Sequence, residues 1–378
     1  MPPHPPATIP ALRRAVRQCL LPWFAQNARD LPWRTEPLDP YAVWISEIML
    51  QQTQVDTVIP YFQRFLKRFP HVAALAAAPL QDVLKQWEGL GYYTRARHIH
   101  ATAKLLMDHH GGQLPTDPAL LATLPGLGPY STAAIASFAF GLPLAVLEGN
   151  VIRVFSRLLA LPDDVTRPAT RKKLQQLADA LLLHDHPAAT NEAWMELGAL
   201  VCTPRAPNCP ACPLRRVCCA AKTPAPDAFP RKKKKMKVPH KIVGAAVILN
   251  SKNQILIAQR QTQTGMLAGL WEFPGGKIAA GETMPDCIAR ELMEEMGLQI
   301  EVGPHLVTIP HAYSHFTIEL HAHIARIRKG RPRHIECADH AWVTRDQFAD
   351  YPFSKADHGI IHAILALPRP PRLRDYFG

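Results

Sequence analysis

The sequence predicts a multidomain protein in which an all-α part is followed by an α+β part. Within residues 11–220, apolar side chains recur at helical spacing, most clearly over residues 42–69. From residue 241 the chain changes to short segments rich in β-branched residues, such as 241–250, which are typical of strands. A length of 378 residues accommodates two domains or three. We therefore expect a helical domain over 11–220 and an α+β domain over 241–370.

The charge balance favours a polyanionic partner. Lys and Arg number 43 against 31 Asp and Glu, which gives a net charge of +12. Such a balance favours DNA as partner, although a basic enzyme without a nucleic-acid partner has it too. The first residues, MPPHPPATIP, lack the apolar core of a signal peptide, and no apolar run approaches the roughly 20 residues that cross a bilayer. We expect a monomeric, cytoplasmic, nucleoid-associated protein with no membrane partner.

A change of composition over 221–240 predicts a linker between the two domains. The segment is rich in Pro and Ala and carries a basic run from Lys232 to Lys235, followed by Lys237. This run is able to follow a phosphate backbone, but a solvated spacer without a partner has the same composition.

Five of the eight cysteines fall within residues 202–219, which favours a metal site over disulfides. Cys202, Cys209, Cys212 and Cys218 have the spacing C-x6-C-x2-C-x5-C, and Cys219 leaves the identity of the fourth ligand open. Thiolates suit zinc or iron–sulfur centres, and a single CxxC pair argues against zinc. The spacing resembles the [4Fe–4S] loop of endonuclease III and MutY DNA glycosylases, which implies a structural cluster over 202–218. Arg205, Arg215 and Arg216 in this loop are candidates for phosphate contacts.

A helix-hairpin-helix motif is predicted by LPGLGPY at residues 124–130. Gly126 and Gly128 permit a tight turn between helices, after which backbone N–H groups at the next helix start can hold a phosphate. Two glycines alone are a weak signal. Their position ahead of the cysteine loop strengthens it.

Residues 11–220 resemble the catalytic domain of the MutY-type adenine DNA glycosylases. The matching stretches are LPWR (31–34), WISEIMLQQTQV (44–55), WEGLGYYTRAR (87–97) and EGNVIRV (148–154). The resemblance implies removal of adenine mispaired with 8-oxoguanine or guanine in double-stranded DNA.

The resemblance also implies roles for individual residues. Glu47 is the general acid at the adenine, Gln52 is a wedge into the duplex with Leu50 nearby, and Tyr92 intercalates beside the 8-oxoguanine. Tyr130 occupies the position of the Schiff-base lysine of lyase-type relatives. A phenol cannot form an imine, so the resemblance implies a monofunctional hydrolase.

The sugar-side carboxylate departs from the family pattern. Excision passes through a cation-like transition state, which needs an acid at the leaving group and a carboxylate near the sugar. The family carries Asp in a DGN motif where this chain has Glu148, while Asn150 matches the family and is expected to orient the carboxylate. Three alternatives are open: Glu148 serves in a shifted site, the activity is severely weakened, or the residue was engineered. The activity would be weakened because misplacement by about 1 Å can cost about a hundredfold in rate.

Residues 276–298 fit the complete Nudix pattern, G-x5-E-x7-R-E-U-x-E-E-x-G-U, where U is apolar. Its context, WEFPGGKIAAGET, resembles the MutT-type pyrophosphohydrolases. Glu291, Glu294 and Glu295 share one helix face, where three carboxylates repel unless a cation such as Mg²⁺ lies among them. The domain is therefore either a nucleotide hydrolase or a recognition module.

The segment YSHF at 313–316 favours recognition. It resembles the loop with which MutY-type proteins probe 8-oxoguanine, and Tyr313, Ser314 and His315 hold its three positions. We therefore interpret the chain as an adenine glycosylase whose Nudix-fold domain reads the lesion. Two alternatives remain: a bifunctional fusion that also hydrolyses 8-oxo-dGTP or another nucleoside diphosphate derivative, and a lesion-binding protein silenced by Glu148.

Overall fold

The computed structural model describes residues 7–233, 238–262, 265–313 and 315–377, which form two compact units. One unit comprises Met1–Ala76 and Ala101–Lys235, and the other comprises Ala77–His100 and Met236–Gly378. The helical segment 77–100, which the sequence analysis assigned to the 11–220 domain, thus clusters with the C-terminal residues. Lys234, Lys235 and Lys237 of the predicted basic run lie outside the described residues.

Helices dominate the chain as far as the cysteine loop. In chain order the α-helices are α1 (Ile9–Ala15), α2 (Leu21–Asn27), α3 (Pro40–Leu50), α4 (Val55–Arg68), α5 (Val72–Ala77), α6 (Leu80–Trp87), α7 (Thr94–His110), α8 (Pro118–Leu121), α9 (Pro129–Phe140), α10 (Gly149–Leu158), α11 (Pro168–Leu181), α12 (Pro187–Leu200), α13 (Met284–Met296), α14 (Lys355–Ala366) and α15 (Arg374–Phe377). A π-helical turn, Val16–Leu20, joins α1 to α2. The predicted order, a helical part followed by an α+β part, is confirmed.

The helical stretch predicted over 42–69 is broken in the middle. Helix α3 begins at Pro40, where the side chain of Asp39 accepts a hydrogen bond from the N–H of Tyr41 at 2.9 Å, as a capping residue does. It ends at Leu50, and Gln52 adopts a left-handed backbone conformation with φ of 60°. A non-glycine residue in that conformation cannot continue a helix, so the chain turns before α4 begins.

Six strands within the described residues form one mixed sheet. They are β1 (His240–Leu249), β2 (Ile255–Arg260), β3 (Trp271–Glu272), β4 (Gln299–Ala312), β5 (Thr317–Lys329) and β6 (Cys337–Val343). The order along the sheet is β3-β2-β1-β5-β4, with β6 also pairing with β2. Strands β1 and β5 run parallel, and the other pairs are antiparallel.

Helices cover both faces of this sheet. Alternate side chains of β1 point to opposite faces, so Val247 packs with Ile360 of α14, whereas Ile248 packs with Ile288 and Leu292 of α13. Both faces of β1 are therefore buried, which explains its nearly continuous apolar sequence.

The segment Ala77–His100 is bound to the C-terminal part of its own unit by specific hydrogen bonds. The carboxylate of Glu88 accepts from the N–H of Phe353 at 2.7 Å and lies 2.8 Å from Nε2 of His358. The ammonium of Lys85 donates to the carbonyl of Tyr351 at 2.8 Å, and Arg97 donates to the carbonyl of Ala268 at 2.8 Å. Across the described part of the chain, no helix combines the length and apolar character needed to span a membrane.

Candidate active site

Three helices of the first unit bring Glu47, Tyr130 and Glu148 to the wall of one cleft. Glu47 lies on α3, Tyr130 lies in the first turn of α9, and Glu148 immediately precedes α10. The cavity measures about 770 Å³, which is within the range of small-ligand pockets. Two carboxyl groups far apart in sequence therefore face one space large enough for a nucleobase.

The carboxyl group of Glu47 is poised to hold a proton. Its side chain is buried, and the hydroxyl of Tyr130 donates a hydrogen bond of 2.8 Å to its Oε2 atom. Burial raises the pKa of Glu47 to about 7, and the nearby charges of Glu192 and Glu148 raise it further against the opposing effect of Tyr130. A carboxylic acid with a pKa near neutrality suits proton donation to a leaving group.

Glu148 is held by the start of α10. Its carboxylate accepts from the N–H of Asn150 at 2.8 Å and from the N–H of Val151 at 3.0 Å, so it caps the helix. Burial raises the pKa of Glu148, while the two backbone donors act in the opposite direction because they stabilise the anion. The helix N-terminus therefore favours the ionised form of Glu148 and partly offsets the effect of burial.

The side chain of Asn150 is oriented from within the same helix. Arg153 donates to Oδ1 of Asn150 at 2.7 Å, and it also donates to the carbonyls of Gly198 and Cys202, both at 2.7 Å. One guanidinium thus connects the cleft to the beginning of the cysteine loop.

A second set of charges lines the same cleft and was not predicted from the sequence. Arg34 lies 2.8 Å from Glu192 and 3.6 Å from Glu196 on α12, and Arg29 lies 2.8 Å from Glu196. Burial raises the pKa of Glu192, and the charge of Arg34 opposes that rise. The signal in the sequence was the i, i+4 spacing of the two glutamates, which places them on one helix face next to LPWR.

Gln52 and Tyr92, the two residues expected to enter the duplex, share an unusual backbone conformation. Their φ angles are 60° and 50°, and both side chains are exposed. The guanidinium of Arg95 lies 5.2 Å from the ring centroid of Tyr92. Strained residues of this kind concentrate at functional sites. Leu50 and Gln52 line the cleft of the first unit, whereas Tyr92 belongs to the second unit.

The hairpin glycines precede α9 as the motif predicts. Gly126 has a φ of 80°, which favours glycine, and Gly128 is the residue before the first helical turn. A methyl group at Gly128 would meet no protein atom within 4 Å, so the space in front of this helix start is open.

Cys202, Cys209, Cys212 and Cys218 line one cavity of the first unit, and Cys219 is not among its lining residues. Burial raises the pKa of Cys212 to about 12 and that of Cys218 to about 11, so these thiols become thiolates only where a cation compensates. In the described chain no three of these sulfurs lie within 4.8 Å of one another.

Arg157 is buried beneath this loop and was missed at the sequence level. Its guanidinium donates to the carbonyls of Phe229, Cys202, Thr203 and Pro204 and lies 3.3 Å from the sulfur of Cys202. All these acceptors lie far from Arg157 in sequence, so no local pattern revealed its role.

The Nudix carboxylates gather at α13 of the second unit. Arg290 donates to Glu282 at 2.8 Å, to Glu291 at 3.0 Å and to Glu294 at 3.0 Å. Burial raises the pKa of Glu295 to about 8, with further contributions from the charges of Glu272 and Glu291. Glu272, on β3, was not part of the predicted site, and its pKa is raised to about 7, chiefly by burial.

A close backbone approach explains the glycine that opens the Nudix pattern. A side chain at Gly276 would collide with the carboxylate of Glu291. The loop and the helix are therefore packed so that the backbone itself lies against the acidic cluster.

The predicted lesion-reading segment joins β4 to β5. The ring of Tyr313 packs 4.9 Å from that of Phe316 against the apolar core, and burial raises the pKa of Tyr313 to about 12. His315 is exposed. Ser314 lies outside the described residues.

Both parts of the chain match models of known protein families. Residues 45–180 match the model of the HhH-GPD superfamily of base excision DNA repair proteins, and residues 244–363 match the NUDIX domain. A thermostable thymine-DNA glycosylase of known structure is similar, with a TM-score of 0.50 and 26% identity over 55% of this chain and 96% of that one. The fold and the cleft thus define a helix-hairpin-helix DNA glycosylase joined to a NUDIX domain, and the predicted fold class is confirmed.

Two relatives narrow the class of DNA glycosylase to one family. The human adenine DNA glycosylase is 34% identical over 88% of this chain and 71% of its own length. That of Buchnera aphidicola subsp. Baizongia pistaciae is 38% identical over 68% of this chain and 72% of its own. The chain belongs to the adenine DNA glycosylase family, whose members are enzymes of DNA base-excision repair.

Proposed function

We propose that this protein hydrolyses the N-glycosidic bond of adenine mispaired with 8-oxoguanine or guanine in duplex DNA. The observation that carries the proposal is the buried carboxyl group of Glu47, with a pKa near 7, in the same cleft as Glu148. Family membership supplies the reaction class, and the cleft supplies the two carboxyl groups that it needs.

The chemistry follows from the different surroundings of the two carboxyl groups. Glu47 donates its proton to the departing adenine and, once ionised, accepts a proton from the attacking water. The C–N bond breaks with its electrons moving to the base, and the sugar carries the positive charge that develops. The anion of Glu148, which the N–H groups of Asn150 and Val151 stabilise, stabilises that charge. Tyr130 keeps Glu47 in place by its hydrogen bond.

The four cysteines Cys202, Cys209, Cys212 and Cys218 would hold a [4Fe–4S] cluster, and the loop of residues 202–218 would then be fixed on α10 and α12. Their position around one cavity and the buried thiols support this assignment. The cluster's contribution is structural, because Arg153 and Arg157 join the loop to the helix that carries Asn150.

We assign mispair recognition to individual residues that the family resemblance singles out. Gln52 and Leu50 at the cleft wedge the duplex open so that the adenine flips out, and Tyr92 stacks beside the 8-oxoguanine. Tyr313, Ser314 and His315 contact the lesion base, and the hairpin at Gly126 and Gly128 binds a phosphate. The exposure of Gln52, Tyr92 and His315 supports these roles.

The test is single-turnover release of adenine from an 8-oxoguanine:adenine duplex, with the Glu148→Asp variant measured alongside. We expect release by the unmodified protein, because the N–H groups at the start of α10 stabilise the anion of Glu148 and this residue lines the cleft. No release from the protein, with activity restored in Glu148→Asp, would support the alternative of a lesion-binding protein silenced by Glu148. No release from either variant, in protein that binds the duplex, would overturn the proposal.

A second candidate activity is Mg²⁺-dependent hydrolysis of a nucleoside diphosphate derivative such as 8-oxo-dGTP. It is favoured by Glu295 and Glu272, whose pKa values are raised by burial and by neighbouring carboxylates, because a cation stabilises carboxylates in such surroundings. Glu291, Glu294 and Glu295 would hold the ion.

This second activity is best tested in the full chain, because residues 77–100 belong to the same compact unit as the Nudix residues. The Glu47→Gln variant removes glycosylase chemistry from the assay. Magnesium-dependent turnover that is lost on Glu294→Gln/Glu295→Gln substitution would establish a bifunctional enzyme. Absence of turnover across oxidised and normal nucleotides would leave a recognition module.

A further inference from the structure

A cluster of three ligand-type side chains lies outside both candidate sites, at the connection between β5 and β6. His334 precedes β6, while Asp339 and His340 lie within it. One donor atom from each of the three side chains lies within 4.8 Å of the other two, and this is the sole group of three or more such side chains found among the described residues.

The distances within the cluster are close to those of a metal site. Nε2 of His334 lies 2.7 Å from Nδ1 of His340 and 3.5 Å from Oδ1 of Asp339. Ligands about 2.0–2.1 Å from a tetrahedral zinc ion lie about 3.3 Å from one another. The carboxylate is therefore already at a suitable distance, and the two imidazoles must separate by about 0.6 Å to admit the ion.

The carboxylate of Asp339 is oriented by the backbone of the strand. The backbone N–H of His340 donates to Oδ1 of Asp339 at 2.7 Å, which turns that side chain toward the histidine beside it. The two imidazole rings have centroids 4.9 Å apart, with their nitrogen atoms facing each other in a hydrogen bond. Such a hydrogen bond needs at least one neutral ring, and the neutral ring is the form that binds a metal.

We propose that His334, Asp339 and His340 bind one divalent transition-metal ion, with zinc as the occupant and solvent completing its coordination. Imidazole nitrogen with a single carboxylate oxygen suits zinc and also copper and nickel, whereas magnesium and calcium favour sites made of oxygen alone. The exposure of His334 and Asp339 gives an ion free access.

The position of the cluster gives the ion a structural role. The segment just before β6 caps the end of α13: the N–H of Arg333 donates to the carbonyl of Met296, and the N–H groups of Ile335 and Glu336 donate to the carbonyl of Glu295. A metal that joins His334 to the strand would fix this segment, and with it the last turn of the Nudix helix.

The experiment uses the untagged full chain with its iron–sulfur site loaded, so that zinc does not enter the cysteine loop. The protein is incubated with Zn²⁺, freed of unbound metal and analysed for zinc and iron by mass spectrometry. We expect one zinc per chain in the unmodified protein and near-complete loss of zinc in His334→Ala/His340→Ala, with iron unchanged. The matched control is His305→Ala/His323→Ala, which removes two histidines whose rings lie 5.3 Å apart in the same unit and should retain the zinc.

Two further readouts separate a site from loose surface binding. Asp339→Asn should lower zinc affinity by about tenfold in competition with a chromophoric chelator, since the amide is a much poorer ligand. Cu²⁺ bound in place of zinc should give an electron paramagnetic resonance signal with coupling to two nitrogens, lost in the double histidine variant. Zinc content unaffected by the double substitution, or no zinc in the unmodified protein, would overturn the proposal.

The structural role has its own measurement. Zinc should slow hydrogen exchange at the amides of Ile335 and Glu336, which donate to the carbonyl of Glu295. Bound zinc with unchanged exchange at these amides would overturn the role at the helix end. These outcomes do not depend on adenine excision.

Discussion

At the scale of single residues, the chemistry of this protein depends on burial more than on residue type. Glu47 and Glu148 are the same amino acid, and both line the same cleft. Glu47 is buried beside a phenol, whereas Glu148 accepts two hydrogen bonds from a helix start. Burial raises the pKa of both groups, but at Glu148 two backbone N–H donors oppose the rise, which gives the two carboxyl groups different roles.

Replacement of Glu47 by Gln should abolish adenine excision and stabilise the fold at alkaline pH. The pKa of Glu47 rises from 4.5 to about 7, so its favourable contribution is complete below about pH 4.5 and is lost as the pH rises through about 7. Gln resembles the protonated form at every pH. At pH 8 its free energy of unfolding should therefore exceed that of the unmodified protein by about 3 kcal/mol, an upper estimate.

Urea unfolding at pH 5 and pH 8, followed by helical circular dichroism, measures this difference. The gain in the free energy of unfolding of Glu47→Gln over the unmodified protein should nearly vanish at pH 5. An equal effect of the substitution at both pH values would contradict a raised pKa. Duplex affinity of Glu47→Gln serves as the control for folding of the cleft.

The pH dependence of excision should follow the same carboxyl group. Since the acid form of Glu47 donates the proton, the single-turnover rate should fall about tenfold per pH unit above about pH 7. The measurement uses saturating enzyme, so that binding does not limit the rate. A rate that stays level between pH 7 and pH 9 would assign the proton to another donor.

At the scale of elements, α10 connects the cleft to the cysteine loop. Its N-terminus is capped by Glu148, its middle carries Arg153, and its last turn carries the buried Arg157. Successive turns of one helix thus hold the candidate catalytic carboxylate and the loop that would bind the cluster. Loss of the loop would disturb Asn150 through Arg153.

Arg157→Lys should weaken retention of the cluster. A lysine cannot reproduce the planar set of donors that bind four carbonyls, so buried acceptors would be left without partners at a cost of about 3 kcal/mol. Iron per chain and the urea midpoint should both fall. Arg216→Lys, at an exposed position in the same loop, is the matched control and should change neither the iron content nor the urea midpoint. Equal iron content in the two variants would contradict the role of Arg157.

At the scale of the whole molecule, charge and composition determine how binding to a DNA duplex depends on salt. The net charge of +12 accompanies a helix-hairpin-helix motif and exposed arginines in the cysteine loop. Binding to a duplex should therefore release counterions and depend strongly on salt.

The dissociation constant for a mispaired duplex should rise by about a hundredfold between 50 and 200 mM salt, as expected for about four phosphate contacts. Substitution of Arg215 and Arg216 by Gln should lower the slope of log K against log salt by about two. Fluorescence anisotropy across a salt series measures both. An unchanged slope in the variant with both arginines replaced would show that Arg215 and Arg216 do not contact phosphates.

The order of the domains and the identity of most candidate groups were predictable because their signals are local. Helical periodicity, the β-branched segment at β1, the cysteine spacing and the Nudix pattern each lie within a short stretch of chain. The roles of Glu47 and Glu148 came from motifs of the same kind. The break after Leu50 was not predictable, because Gln52 in a left-handed conformation leaves no trace in the apolar pattern.

The sequence by itself determined a two-part glycosylase and Nudix chain, its four clustered cysteines and its acidic groups. The tertiary structure alone decided that the pKa of Glu47 is raised, because the rise depends on burial by distant helices. It also decided that Arg157 anchors the cysteine loop, that residues 77–100 cluster with the C-terminal unit, and that His334 meets Asp339 and His340. The physical reason is that a sequence pattern reports only local conformation. Desolvation and charge proximity arise instead from residues that meet only when the chain is folded.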